Sequence, residues 1–413
     1  MPVAIWICYD IGNTTFFAGI MSILFPLWVT DVMKGNDATL GFTLTIAMAM
    51  VLVFSPILGT LSDQIGRRMP FVIVFTIICI ITTAFIGMGG SEGNIYMSLA
   101  LFAIAVMSIH TADIFYNTLI ENIASKGNIG TISGLGIGIG YIGAIVSVFI
   151  TILLLDPMGH IFVIRCLAIF MTILMLPLLI FGNDKPRNRA NNKTDTNKLV
   201  HATFNKVVIA FREMRNHATW RRFLLARFWY MWSINAAGAF AVLYGVNTIG
   251  LPTQQVQFVL FIGILFGIPS AILWGKLADR YGAPMVLRTC VSILLVFLIL
   301  AVLIPIFGLP PLLWGLVGVF SGIALAGLYV SEKPLIINMA PPTRIAEYFG
   351  MSSMFGRFAA MIAPFSWGFI AVTMNLGQIV SVVWLIICLF ISISLLIGMR
   401  VTQPNYESEI IDQ

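Results

Sequence analysis

Gly59-Thr-Leu-Ser-Asp63-Gln-Ile-Gly66-Arg67-Arg68 and Gly275-Lys-Leu-Ala-Asp279-Arg-Tyr-Gly282 are two copies of one short motif. Gly275 stands 216 positions after Gly59. The same offset links Leu61 to Leu277, Asp63 to Asp279 and Gly66 to Gly282. Further on it links Leu119-Ile120 to Leu335-Ile336, Asn122 to Asn338 and Ala124 to Ala340. It also links Gly134 to Gly350 and Gly140 to Gly356. A single offset held across several apolar runs marks an internal duplication. Within each copy the glycines permit a tight turn and close helix approach. The aspartate can accept from the free N–H groups of a neighbouring helix start.

Each motif lies between long apolar runs. Of the 413 residues, 59% are hydrophobic and 10% are charged. A soluble domain carries about 25% charged residues, so lipid must face most of this exterior. A spanning helix needs about 20 mainly apolar residues, and a barrel strand would alternate over about ten. The runs are continuous, so the fold class is an all-α membrane protein of twelve transmembrane helices in two pseudo-symmetric six-helix bundles. The predicted spans are Val3–Val29, Leu40–Leu61, Pro70–Met88, Ile95–Leu119, Ile129–Leu155 and Ile161–Gly182. The second six are Phe223–Gly245, Val256–Gly275, Met285–Phe307, Leu312–Val330, Phe349–Val372 and Leu376–Ile397. The N-terminal bundle is thus expected over 1–182 and the C-terminal bundle over 223–400. A cytoplasmic linker (183–222) and a cytoplasmic tail (401–413) complete the chain. The first run has no basic stretch before it and is too long for a cleavable signal, so it is expected to be span one.

The formal net charge is +6. With a cytoplasmic N-terminus, Arg67, Arg68, Lys126, the run from Lys185 to Arg222, Lys276, Arg280, Lys333, Arg344 and Arg400 all fall inside, as Lys and Arg retention requires. Both termini are therefore expected to be cytoplasmic. The positive charge is a topology signal, and no nucleic-acid partner is expected. In the linker, Val200, Phe204, Val207, Val208, Phe211 and Met214 recur at helical spacing among basic residues. That predicts an amphipathic helix over Lys198–His217, either a tether or a lipid-binding element. The five cysteines lie in apolar runs without a C-x-x-C pair, as buried thiols do. Gly138-Ile-Gly140-Tyr-Ile-Gly143 matches G-x-G-x-x-G but follows no strand, so it is helix-packing surface rather than a nucleotide fingerprint. There is no Walker motif for direct ATP coupling, and no metal cluster or nucleophile–base constellation of an enzyme.

The duplicated loop resembles the signature loop of the major facilitator superfamily. That resemblance implies that Gly59, Asp63, Gly66 and Arg67, with Gly275, Asp279, Arg280 and Gly282, form gating loops. Asp63 would meet the start of span eleven and Asp279 the start of span five. Other stretches are similar to one branch, the vacuolar amino-acid effluxer family and its bacterial relatives. They are Tyr9-Asp10-Ile-Gly-Asn13-Thr-Thr-Phe16, Phe115-Tyr116-Asn117, Ser133-Gly134-Leu135-Gly136, Gly140-Tyr141-Ile142-Gly143 and Phe223-Leu-Leu-Ala-Arg227-Phe228. Pro341-Pro342, Ala346-Glu347-Tyr348-Phe349-Gly350 and Gly356-Arg357-Phe358 complete the set. The chain departs from that branch at span one, which lacks its Trp. It departs also at Ser331-Glu332-Lys333 and at His110 and Asp113, so substrate and coupling do not carry over directly.

Ionisable groups within a span are costly and usually face a water-filled cavity or a partner. The resemblance places spans one and seven opposite each other. Asp10 and Arg227 then either interact, directly or through water, or snorkel independently to the interface. His110 and Asp113 are three apart and share a helix face. They suit either proton exchange or a structural hydrogen bond. Glu332, Lys333 and Arg357, placed near cytoplasmic helix ends, form either an ion-pair network or a substrate contact. Asn13, Tyr116, Asn117 and Asn235 are neutral candidates for hydrogen bonds to a substrate. The expectation is a monomeric multi-pass transporter in a bacterial plasma membrane, with membrane lipid and a small-molecule substrate as partners and no cofactor. Protons are the expected coupling ion and an amino acid or similar solute the cargo. A lipid or hydrophobic-compound exporter or flippase on the same fold is the alternative.

Overall fold

The computed structural model describes residues 2–34, 37–88, 94–125, 127–184 and 217–399. Among the described residues, ten helices are long and apolar enough to cross a membrane. Two more complete the twelve: the shorter Met69–Ala84, and Ala218–Asn247, whose apolar content is diluted by Arg227, Asn235, Trp229 and Trp232. Among the described residues there is no strand. Inside lipid no water replaces a missing backbone partner, and helices satisfy every N–H and C=O within the segment.

In chain order α1 is Val3–Thr15, continued through wider π turns over Phe16–Leu24 and Trp28–Val32. Then come α2 (Asp37–Ile65), α3 (Met69–Ala84), α4 (Ile95–Thr118), α5 (Ile129–Met158) and α6 (His160–Phe181). The second set is α7 (Ala218–Asn247), α8 (Thr253–Tyr281), α9 (Ala283–Phe307), α10 (Trp314–Met339), α11 (Ile345–Gly368) and α12 (Gly377–Leu396). Asn94 caps α4 by accepting from the Met97 N–H at 3.1 Å. Asp184 caps α3, accepting from the backbone N–H groups of Arg68 and Met69. The predicted amphipathic helix over Lys198–His217 lies, apart from His217, outside the described residues.

One core gathers side chains of α1 to α6, among them Trp6, Tyr9, Phe102 and Leu167. Two further cores gather side chains of α7 to α12, among them Phe223, Leu287, Leu328 and Leu385. Phe42, Ile152, Ile173 and Phe390 stand exposed on the outside. In water such a surface would drive association, and here lipid covers it.

The two sets of helices meet mainly through α2 against α11 and α5 against α8. A Cβ on Gly59 would lie 2.5 Å from the Ala346 carbonyl oxygen, so only glycine allows this approach. Ser55 donates to the Gly350 carbonyl at 3.2 Å and Ser133 to the Val330 carbonyl at 3.0 Å. All these contacts lie between the motif loops and the middle of the helices, so the molecule is closed at its loop end.

Candidate functional site

A cavity of about 480 Å³ lies above that closure, between the two sets of helices. From α1 it receives Asp10, Asn13 and Thr14, from α4 His110, Asp113 and Asn117, and from α5 Tyr141. From α7 come Arg227 and Asn235, from α10 Tyr329, Glu332 and Lys333, and from α11 Ser352, Ser353 and Arg357. A cavity built from six helices needs polar residues one helical turn apart on each. Asp10 with Asn13, and His110 with Asp113 and Asn117, have that spacing.

The Asn13 amide donates to Asp113 at 3.1 Å and ties α1 to α4. Arg357 Nη2 lies 2.6 Å from His110 Nδ1, joining α11 to α4 across the two halves. His110 and Asp113, though on one face, therefore take different partners. Arg227 pairs with Glu332 at 2.8 Å and also donates to the Ser352 carbonyl. Tyr230 donates to the other Glu332 oxygen at 2.5 Å. Asp10 was one expected partner of Arg227, the alternative being that both snorkel independently. Glu332 takes that place because α7 packs against its own bundle, where α10 and α11 surround the guanidinium. Asp10 is buried, beside α5, and a Cβ on Gly140 would lie 2.9 Å from its Oδ2. The glycine of the rejected nucleotide pattern thus makes room for a carboxylate.

Lys333 reaches over the Trp6 ring at 5.0 Å and the Tyr116 ring at 5.9 Å, both from the first half. Glu332 and Lys333 were expected near a helix end, after a span closing at Val330. In fact α10 runs on to Met339, and Arg357 sits mid-way along α11. All three belong to the cavity wall, and Glu332 forms a direct ion pair there with Arg227. Tyr116 is placed differently from its expected role. It is fully buried behind the wall, donating to the Trp6 carbonyl at 2.8 Å and stacked on Trp6 and Tyr9. Asn235 lines the cavity but donates to Met231 on its own helix. Tyr141, Tyr329, Ser352 and Ser353 also line the cavity; the sequence pointed to Tyr141 only as part of a resembling stretch and not to the other three. Tyr329 stands three residues before Glu332, a spacing that could have revealed it.

Several buried polar atoms around the cavity have no hydrogen-bond partner. They include Asn13 Oδ1, Asn117 Oδ1, His110 Nε2, Arg227 Nε and Ser352 Oγ. Buried polar atoms are nearly always paired, so this cluster is suited to water or a polar ligand.

At the loop end Asp63 accepts from the N–H groups of Ala346 and Glu347, at 3.2 and 2.8 Å, at the start of α11. Asp279 accepts from the N–H groups of Gly130 and Thr131, each at 2.7 Å, and from the Thr131 hydroxyl at 2.6 Å. Those donors open α5. Gly66 and Gly282 turn the chain after each aspartate with φ of 70° and 91°. Arg67 and Arg280 are exposed. Arg68 is the buried cation, 3.7 Å from Asp63 and 3.1 Å from Glu121. Its place in the second copy is held by Pro284, and that of Glu121 by Ile337, so only the first loop carries this network.

Known proteins share this architecture. The family model "Major Facilitator Superfamily" matches residues 11–364 and 247–410. The chain is 23% identical over 400 residues to the uncharacterized MFS-type transporter YxiO of Bacillus subtilis (strain 168), covering 94% of this chain and 91% of that one. The crystal structure of the MFS transporter FucP in the outward conformation superposes with a TM-score of 0.75 at 15% identity, over 97% of this chain and 99% of FucP. That of the human organic anion transporter MFSD10 gives 0.74 at 13% identity, over 95% and 97%. At those identities the structures speak for the fold alone. A duplicated loop, paired carboxylates on helix starts, a polar cavity between two helix sets and the family match agree: the chain belongs to the major facilitator superfamily, whose members are membrane transporters and not enzymes.

Proposed function

We propose that the protein carries an amino acid or similar small zwitterion across a bacterial plasma membrane by alternating access, coupled to protons. The observation that carries this reading is the charge balance of the cavity. Asp10, Asp113 and Glu332 face Arg227, Lys333 and Arg357. A wall with equal numbers of opposite charges in low dielectric suits a ligand with no net charge and separated ends. Asp10, Asp113 and the free oxygens of Asn13 and Asn117 suit an ammonium group. Lys333 and Arg357 suit a carboxylate. These charged walls weigh against the lipid-exporter alternative.

On this reading the bundles over 1–182 and 223–400 rock about the cavity as a monomer, with the linker and both termini in the cytoplasm. The motif loops then close the cytoplasmic side, and Asp63 and Asp279 must leave their helix starts when it opens. His110 supplies the proton step. Its Nδ1 can accept from Arg357 only while the ring is neutral, so protonation removes a contact between the halves.

The test is uptake by proteoliposomes across a panel of amino acids, with and without an acid-outside pH gradient. Saturable, gradient-driven uptake of a zwitterion, lost in Asp10→Asn at normal expression, is the expected result. No acid-driven uptake of any amino acid would overturn the reading.

A further inference from the structure

Trp6, Tyr9 and Tyr116 form one aromatic stack, all from the first half. Trp6 and Tyr116 lie 4.8 Å apart and nearly parallel, and Tyr9 stacks on Tyr116 at 4.6 Å. The Trp6 indole N–H donates to the Tyr116 carbonyl at 3.3 Å, and the Tyr116 hydroxyl donates to the Trp6 carbonyl at 2.8 Å. The Tyr9 and Thr76 hydroxyls share a hydrogen bond at 2.7 Å. Gly136 of α5 lies against the Trp6 ring with no room for a Cβ. Residues of α1, α3, α4 and α5 thus fix the rings from within their own half.

Onto this fixed surface the second half places a cation. Lys333 of α10 holds its Nζ 5.0 Å from the centre of the Trp6 ring and 5.9 Å from that of Tyr116. Asp10 stands one turn after Trp6 on α1, on the same face. A Cβ on Gly136 that met the Trp6 ring would also lie 3.5 Å from Asp10 Oδ2, so ring and carboxylate adjoin. Asp10 and Asp113 both lie within coulombic reach of the Lys333 ammonium. An aromatic face beside a carboxylate is the chemistry that recognises an ammonium group. Ring faces hold a cation without fixing its donors in direction, so one ammonium can replace another there. Trp6 and Tyr116 are fully buried, whereas Lys333 lines the cavity. Taking the lysine side chain away therefore opens the ring face to the cavity.

We propose that Trp6, Tyr116 and Asp10 form a binding site for a primary ammonium group, filled here by Lys333 as a tethered stand-in. For the cargo this rests on the zwitterion reading. The ammonium end of the solute takes the place of Lys333, and the released lysine meets the carboxylate end. The rings belong to one half and the lysine to the other, so parting of the halves at the loop end withdraws Lys333 from the site. A vacant site would leave the buried Asp10 carboxylate uncompensated, so cargo and lysine alternate in it.

The test needs neither a gradient nor uptake. In the purified full chain Lys333→Ala removes an arm the size of n-propylammonium, and that amine is the probe. Calorimetric titration of the variant should show saturable binding of one amine per chain. The parent, whose lysine fills the site, should bind it at least about tenfold more weakly. n-Propanol, which has the shape without the charge, should not bind saturably. Adding Asp10→Asn to Lys333→Ala should weaken the amine about tenfold, and adding Trp6→Leu should do the same. Should the Trp6 variant fold poorly, the Lys333→Ala chain grown on fluorotryptophan decides. Its ring keeps its shape while the face loses negative charge, and affinity should fall about threefold. Should Lys333→Ala itself fold poorly, thermal unfolding is read instead, and propylammonium should restore the midpoint where propanol does not. Absence of saturable propylammonium binding or rescue in Lys333→Ala overturns the proposal. So does equal binding by the parent or by propanol, or binding indifferent to both the carboxylate and the ring. If the amine binds as expected and the uptake panel shows no amino acid carried, the ammonium site stands and the zwitterion reading falls.

Discussion

Arg357 Nη2 lies 2.6 Å from His110 Nδ1, a single hydrogen bond that joins α11 of one half to α4 of the other at the level of the cavity. The guanidinium can only donate, so the imidazole must accept and must be neutral. Around the ring stand Asp113 on its own helix, Arg357 on α11, the Phe17 ring of α1 at 4.6 Å, and Asp10 and Lys333 across the cavity. Acidification turns the acceptor into a second donor and breaks the link. Spin labels on the exposed positions 67 and 280 should move apart at acid pH in the parent. In His110→Gln, which cannot take up the charge, that response should vanish. An undiminished acid response in this variant would remove His110 as the proton step.

Arg227 and Glu332 form a pair whose side chains are 12% and 8% exposed. Removing one partner leaves a charge in a low-dielectric wall. Glu332→Gln should lose about 3–5 kcal/mol of stability. The double variant Arg227→Met with Glu332→Met should recover most of it, because the uncompensated charge is gone. Thermal unfolding of the purified chain reads both. Equal losses in the single and double variants would mean that packing, and not charge, holds the pair.

The two loops should respond unequally. Asp279→Ala frees three donors at the start of α5, and loss of such a cap costs about 0.5–2 kcal/mol. The balance should shift toward an open loop end by about tenfold. Asp63→Ala and Arg68→Ala touch one network, so their combined effect should fall short of additive. Asp63 and Asp279 share no partner, and their effects should add. The same spin-label pair measures the single variants and both combinations.

Tyr116 and Asn117 are neighbours in sequence with different duties. Tyr116→Phe removes one buried hydrogen bond to Trp6 and should cost about 0.5–1.5 kcal/mol of stability without changing solute affinity. Asn117→Ala should do the reverse, weakening the solute that the uptake panel identifies while unfolding stays close to the parent. A Tyr116→Phe variant with altered affinity would place that hydroxyl in the cavity after all.

The fold was legible because its determinants are local or periodic. Apolar runs longer than a bilayer's thickness need no tertiary information, and the repeated Gly–Asp–Gly pattern carries its own register. The cavity was legible because charges within spans are rare enough to stand out, and Asp10, His110, Asp113, Arg227, Glu332, Lys333 and Arg357 all line it. Pairing was not legible. Arg227 took Glu332 because bundle packing, set by which helices are neighbours, outranks the opposition of spans one and seven. The extension of α10 past Val330 was missed because Ser331-Glu332-Lys333-Pro334 reads as a polar helix end, whereas buried partners keep it helical. Arg68 was overshadowed by Arg67, since adjacent arginines differ only in which way the turn at Gly66 directs them.

At the loop end the closure includes carboxylates resting on helix starts, Asp63 on α11 and Asp279 on α5. Such a seal exchanges its bonds for water almost evenly when it parts. On the proposed alternating access, neither state would then be a deep energy well, and a difference of a few kcal/mol in how the two states hold a small cargo would be enough to tip the population from one to the other.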